Sequence, residues 1–107
     1  MATLVTGGAG YIGSVVVDDL IDTGSEVVVL DDLSRGHRHA VNERATFYEG
    51  GMGDRELVRR ICDEKGVEAA MHFSAYTYVG ESVEKPSIYY QNNTVATLNL
   101  LDELIAN

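Results

Sequence analysis

The 107-residue chain has only one cysteine and one proline, and it has no tryptophan. A single thiol cannot form a disulfide within the chain. Cys62 lies beside Ile61 in a helical pattern of apolar residues, which predicts a buried side chain rather than a nucleophile. The scarcity of proline, together with 45% hydrophobic residues, excludes a disordered chain and predicts one folded domain.

Long apolar runs are also missing. No run approaches the roughly 20 residues that a membrane-spanning helix requires. The first residues have neither the basic flank nor the cleavage pattern of a secretory signal peptide. We therefore expect a soluble cytoplasmic protein with no membrane partner.

Basic residues are few, with 8 Lys and Arg against 17 Asp and Glu, so the formal net charge is −9. Such a chain repels phosphate backbones, which argues against nucleic acid as a partner. The histidines do not form a ligand set either, because His37 and His39 fall in a polar loop and His72 ends an apolar strand. We expect no metal site.

Apolar runs alternate with helical patterns along the chain. Strands are predicted over residues 3–6, 26–30, 45–49 and 67–73, with a polar loop containing a short helical turn over residues 31–44. Helices are predicted from residue 12 to Gly24, from the N-cap Asp54 to Gly66, and from Pro86 onward. The last helix has five apolar residues that face one way, namely Val95, Leu98, Leu101, Leu104 and Ile105.

This alternation predicts an α/β fold. The strands are too apolar for one face of the sheet to be exposed to water. We therefore expect a Rossmann-like parallel sheet of about four strands in the order 3-2-1-4, with helices on both faces. A helix at the end of such a chain normally crosses over to a further parallel strand. We therefore expect a partial domain, whose last strand and last helix favour self-association.

The stretch "LVTGGAGYIGS", residues 4–14, joins the first strand to the first helix. Gly8, Gly10 and Gly13 match G-x-G-x-x-G, and Gly7 begins a second match, G-x-x-G-x-x-G. Such a turn lets backbone amides approach a pyrophosphate at the N-terminal end of the helix. No Gly-Lys-Ser/Thr follows, which excludes a P-loop. The alternative is a tight glycine turn without a ligand.

The second strand ends at Asp31, 18 positions after Gly13. This is close to the spacing of about 20 residues for the acidic residue that binds a ribose diol. A carboxylate repels a 2′-phosphate, and Asp32 adds to that repulsion. Arg35 and Arg38 are a weaker argument in the other direction, because their positive charges would attract a 2′-phosphate. We expect NAD, rather than NADP, as the cofactor.

Three segments together resemble the N-terminal part of the UDP-glucose 4-epimerases, in the NAD-dependent epimerase/dehydratase branch of the extended short-chain dehydrogenases. They are "LVTGGAGYIGS", "EVVVLDDLSRGHRHAV" and "MHFSAYTYVGESVEKPSIYYQNNTVATLNLL", and the resemblance covers essentially the whole chain. The pattern "VGESV…P…YY.NN" is much more specific than the glycine loop. The resemblance implies cofactor contacts in four groups: Gly7, Gly10, Tyr11, Ile12 and Gly13 at the pyrophosphate; Asp31 and Asp32 at the adenosine ribose; Phe73, Ser74 and Ala75 near the nicotinamide half; Thr77 and Asn92 in the pocket.

The chain departs from the family pattern after the third strand. The family usually has Gly-Asp there, and its Asp hydrogen-bonds the adenine amino group, whereas this chain has Gly51 in "EGGMGD". Adenine recognition is then expected to depend on backbone groups and Met52. Further departures are Val15, Asp32, Ser74 and Ala96, which stand where the family commonly has His, Asn, Ala and Gly.

The resemblance also implies a reaction, the inversion of C4 of a UDP-sugar by transient hydride transfer to NAD. The family base is a Tyr followed by Lys four residues later, and none of the six tyrosines in this chain has that partner. We therefore expect residues 1–107 to be the N-terminal part of an NAD-binding Rossmann domain, without catalytic residues and without a sugar-nucleotide region. A dimer through residues 86–106 is implied as well.

Two other functions remain open from the sequence. One is a stand-alone or engineered module that binds NAD or an adenine nucleotide without turnover. The other is a remnant of the fold that binds no ligand, for which Gly51 is the best support.

Overall fold

Four parallel strands form a single sheet in the order β3-β2-β1-β4, as predicted. The computed structural model describes residues 2–34, 36–74 and 83–106. The strands are β1 (Ala2–Thr6), β2 (Glu26–Asp31), β3 (Thr46–Glu49) and β4 (Val67–His72). The register places Thr6 of β1 between Leu30 of β2 and His72 of β4. The carboxyl ends of all four strands therefore meet at one edge of the sheet.

Helices connect and cover these strands. They are α1 (Tyr11–Asp22), α2 (Arg55–Lys65), α3 (Pro86–Tyr89) and α4 (Ala96–Ala106), with a 3₁₀ turn over Arg38–Ala40. The limits of α2 follow the predicted signals: Asp54 Oδ1 accepts the Leu57 N–H at 3.2 Å, and Gly66 ends the helix in the left-handed conformation at φ 61°.

The last helix differs from the prediction of one continuous helix. A π-helical segment, Tyr90–Val95, joins α3 to α4. Such a segment adds one residue to a turn without changing the residue types that form helices, so apolar spacing alone does not reveal it.

Alternate residues of the central strands pack on opposite faces of the sheet. Leu4, Val28 and Leu30 form one core cluster with Val58 and Ile61 of α2 and with Leu100 of α4. Val5, Val27 and Val29 form the second cluster with Val17 and Ile21 of α1. This two-sided burial explains why β2 is a continuous apolar run rather than an alternating one. Cys62 packs against the first cluster but is half-buried rather than buried as predicted, and burial raises the pKa of its thiol.

The predicted apolar face of the last helix is divided between core and solvent. Leu104 packs against the core beside the fully buried Leu100. Leu98 and Ile105 are 57% and 84% exposed, and Val95 and Leu101 are exposed as well. Leu98, Leu101 and Ile105 lie within α4, and we call these three residues the α4 apolar face.

A buried carboxylate joins α2 to α4. Glu103 of α4 is only 4% exposed, and its two oxygens accept hydrogen bonds from Arg59 of α2 at 3.0 and 3.3 Å. Arg55, one turn earlier in α2, lies 3.7 Å from the same carboxylate and donates to Asp102 and Asn99 at 2.9 Å. The helical pattern did not predict this ionic contact, because it forms between positions more than 40 residues apart.

Candidate functional site

The glycine loop leaves β1 and begins α1 at the carboxyl edge of the sheet. The Gly7 N–H donates to the Leu30 carbonyl at 3.0 Å, and the Gly10 N–H donates to the Gly7 carbonyl at 3.1 Å. Gly10 is the N-cap of α1, and no side chain caps the helix there. The first turn of α1 also contains no acidic residue. The positive end of α1 is therefore open to an anion such as a pyrophosphate.

A side chain on either of two glycines of the loop would collide with backbone atoms. Gly7 has a left-handed φ of 73°, and a Cβ there would lie 2.7 Å from the backbone carbon of Phe73 at the end of β4. A Cβ on Gly13, in the first turn of α1, would overlap the Gly7 carbonyl oxygen. The loop thus lies directly against both α1 and β4, as the Rossmann pattern predicts.

Asp31 at the end of β2 is built into this loop. The carboxylate is 9% exposed; its Oδ2 accepts the Ala9 N–H at 3.0 Å and its Oδ1 accepts the Leu33 N–H at 2.8 Å. Leu33 has a left-handed φ of 65°, which is strained for a leucine, so the second bond stabilises an unfavourable turn. Sequence reasoning assigned Asp31 to a ligand alone and missed this bracing role.

The segment after β2 folds back over the glycine loop. Asp32 Oδ1 accepts the Ser34 N–H at 2.9 Å and the Ser34 hydroxyl at 2.7 Å. The His37 N–H donates to the Ala9 carbonyl at 3.2 Å. The His37 and His39 rings stack on each other with centroids 5.4 Å apart. In the described part of the chain, no three His, Cys, Asp or Glu side chains are grouped to hold a metal ion.

The carboxyl end of β3 offers little side-chain chemistry. The Gly50 N–H donates to the Asp31 carbonyl at 3.1 Å, which places residues 50–52 next to the end of β2. Met52, predicted to help recognise adenine, is 5% exposed and its side chain belongs to the core. Gly51 is exposed, and a Cβ added to it would have no other atom within 4 Å. It lines an open depression of about 440 Å³.

The end of β4 lies on the other side of the glycine loop. The Phe73 N–H donates to the Thr6 carbonyl at 2.9 Å, and the half-buried Phe73 ring packs against the α1 core. Ser74 follows it and is half-buried. Ala75 and Thr77, also predicted cofactor contacts, lie outside the described residues. Asn92 belongs to the π-helical segment, and the placement of its side chain lies outside the described part of the chain too.

His72 connects three elements at this edge of the sheet. Its Nδ1 lies 2.6 Å from the Thr6 hydroxyl of β1, and its Nε2 lies 3.1 Å from the Thr97 hydroxyl of α4. Burial lowers the pKa of His72 below its ordinary value of 6.5, because the surroundings disfavour the charged ring. The sequence placed His72 at the end of an apolar strand and did not identify its two partners.

We expect protonation of His72 to destabilise the fold. Because its folded-state pKa is lowered, the unfolded chain takes up the proton first, so the stability is complete above about pH 6.5 and falls as the pH decreases through the folded-state pKa. Urea unfolding at pH 7.5 and 5.5 measures this loss. The variant His72→Gln, which cannot titrate, should lose less stability over this interval, and an equal loss in both proteins would contradict the prediction.

No helix among the described residues is both long and apolar enough to cross a membrane. The candidate site consists of the edge of the sheet and the loops on it: a glycine turn at β1, a braced carboxylate at β2, an open glycine segment at β3, and Phe73 with Ser74 at β4. This arrangement can hold an extended dinucleotide across the end of the sheet, with its pyrophosphate at α1.

The chain is similar to known proteins over nearly its whole length. The model of the NAD dependent epimerase/dehydratase family matches residues 3–107. A UDP-glucose 4-epimerase from Lactobacillus helveticus is 48% identical over 104 residues, which are 97% of this chain and 32% of that protein.

Solved structures agree with this comparison. The UDP-glucose 4-epimerase of Thermotoga maritima, solved with UDP-glucose, has a TM-score of 0.95 and 42% identity, covering 99% of this chain and 34% of that one. The UDP-glucose 4-epimerase of Brucella ovis in complex with NAD has a TM-score of 0.91 and 43% identity, covering 95% of this chain and 31% of that one. The chain spans about a third of the length of the relatives it matches.

Proposed function

The chain belongs to the NAD-dependent epimerase/dehydratase family, and on that premise we propose that it is the NAD-binding part of a UDP-glucose 4-epimerase. The observation that supports this most is the contact between Asp31 and the glycine loop. The Asp31 carboxylate bonds the Ala9 N–H directly, so the ribose-binding acid and the pyrophosphate turn are one rigid unit. Such a unit is preorganised for the adenosine half of a dinucleotide.

The residues present fit NAD better than NADP. A 2′-phosphate on the adenosine ribose would lie close to Asp31, which is buried, and to Asp32, in a chain of net charge −9. Gly7, Gly10, Tyr11, Ile12 and Gly13 are proposed to meet the pyrophosphate, and Phe73 and Ser74 the nicotinamide half. Ala75, Thr77 and Asn92 stay as predicted contacts on the resemblance alone.

Calorimetric titration of the purified chain with NAD and with NADP tests this proposal. We expect saturable binding of NAD and at least tenfold weaker binding of NADP, since an unfavourable charge contact of about 1.4 kcal/mol already gives that factor. Failure of NAD to bind would contradict the proposal and favour the alternative of a ligand-free remnant. Tighter binding of NADP would contradict the role given to Asp31.

The reaction is proposed for the complete enzyme. NAD supplies a hydride acceptor for C4 of the UDP-sugar, and this chain binds and orients that acceptor. The six tyrosines lack a Lys four residues later, so we propose that the base is not among residues 1–107 and that the isolated chain is inactive. Turnover of UDP-glucose by the purified chain would refute this. NAD binding without turnover also fits the alternative of a stand-alone binding module.

We further propose a homodimer through the α4 apolar face and a cytoplasmic location. Leu98, Leu101 and Ile105 present apolar side chains on one helix, a pattern typical of a protein interface. Light scattering of the wild-type chain and of Leu98→Lys tests the dimer. We expect the wild-type chain to have the mass of a dimer and Leu98→Lys to have half that mass. An unchanged monomeric mass in both samples would refute the dimer.

A further inference from the structure

The adenine end of the proposed dinucleotide site lies toward β3. In the order β3-β2-β1-β4, the pyrophosphate turn follows β1 and the ribose-binding Asp31 ends β2. A dinucleotide that continues in this direction places its purine beside the next strand end, at residues 50–52. The bond from the Gly50 N–H to the Asp31 carbonyl, 3.1 Å long, holds this segment against the ribose position.

Residues 50–52 at this strand end supply no side-chain acceptor for a purine substituent. Gly50 and Gly51 have no side chain, and the Met52 side chain is buried in the core. The Gly51 carbonyl already accepts the Asp54 N–H at 3.1 Å, and Asp54 itself caps α2 through its Oδ1. Gly51 is exposed at an open depression that Asp54, Ser87 and Gln91 also line, so water can reach a base bound there. The Ser87 hydroxyl and the Gln91 amide can each donate or accept, so they can pair with either purine.

We propose that this site does not discriminate at the 6-position of the purine and binds a 6-oxopurine dinucleotide about as well as NAD. The inference rests on the proposed function and deepens it. A 6-aminopurine presents a donor at its 6-position and an acceptor at N1, whereas a 6-oxopurine presents an acceptor and a donor. A carboxylate at position 51 would favour the amino group and repel the oxo group. With a glycine at this position, water can donate to or accept from either purine, so the two bind with similar affinity.

Position 51 can be changed without disturbing the fold. A Cβ on Gly51 would have no atom within 4 Å, and Gly51 is not among the glycines with a left-handed φ. Gly51→Asp therefore introduces an acceptor, and Gly51→Asn is a control of the same size without the charge. An asparagine amide both donates and accepts, so it can pair with either purine.

Titration of the three proteins with NAD and with nicotinamide hypoxanthine dinucleotide tests the inference. We expect the wild-type chain and Gly51→Asn to prefer NAD by less than fivefold, and Gly51→Asp to prefer it by about tenfold or more. A preference of fivefold or more in the wild-type chain would overturn the inference and leave NAD binding intact. Binding of neither dinucleotide would instead overturn the proposed function, and the inference with it.

Discussion

Gly13→Ala is expected to weaken NAD binding by more than about a hundredfold. The added methyl group would overlap the Gly7 carbonyl oxygen and lie 2.8 Å from the Gly7 carbonyl carbon. These are backbone atoms, so no side-chain rotation relieves the contact. The turn must move away from α1, and its amides then no longer converge on the pyrophosphate.

Calorimetry with NAD measures this effect, and Ser14→Ala is its control. Ser14 follows Gly13 in α1, and its hydroxyl donates to the Tyr11 carbonyl in the same turn at 3.0 Å. We expect this variant to bind NAD within about threefold of the wild-type chain. Circular dichroism shows whether Gly13→Ala is folded, and a folded variant that binds NAD within tenfold would contradict the role of the turn.

Glu103→Ala is expected to lower the free energy of unfolding by about 2–3 kcal/mol, a large loss for a polar side chain. The substitution leaves a cavity beside Leu100 in the α4 side of the core and removes both hydrogen bonds to Arg59. Arg55 and Arg59 are about half-exposed and can turn to solvent, which limits the loss. The melting temperature should decrease by roughly 10–15 °C for a chain of this size.

The neighbouring Asp102 provides a matched control. Asp102 also pairs with Arg55, at 2.9 Å, but both side chains are nearly half-exposed. Asp102→Ala should therefore change the free energy of unfolding by less than about 1 kcal/mol. Thermal unfolding of both variants measures the difference. Equal losses of unfolding free energy in the two variants would contradict the prediction that the buried Glu103 stabilises the contact between α2 and α4 more than the exposed Asp102 does.

Local signals in the sequence were sufficient for the order and limits of most elements. Asp54 and Gly66 predicted the ends of α2 because a cap depends on one side chain or one backbone conformation. The apolar run of β2 predicted a strand covered on both faces, and the glycine spacing predicted the turn at α1. Alternating strands and helices then predicted the sheet order, which the structure confirms.

Family membership was also contained in the sequence, since the quoted motifs identified the same family whose model matches residues 3–107. The individual cofactor contacts have a different status. Their positions follow the resemblance, and the structure brings Gly7, Asp31 and Phe73 to one edge of the sheet. Whether each of them meets NAD remains a prediction that titration with the dinucleotide tests.

The sequence by itself thus determined the type, order and family of this fold, because those depend on short-range periodicity, caps and turns. Only the tertiary structure decided which polar groups meet. Asp31 bonds Ala9 from 22 residues away, His72 meets Thr97 from 25 residues away, and Arg59 meets Glu103 from 44 residues away. No local pattern specifies such pairs. They form because the packing of helices on the sheet brings these side chains within hydrogen-bond distance in a partly dry environment.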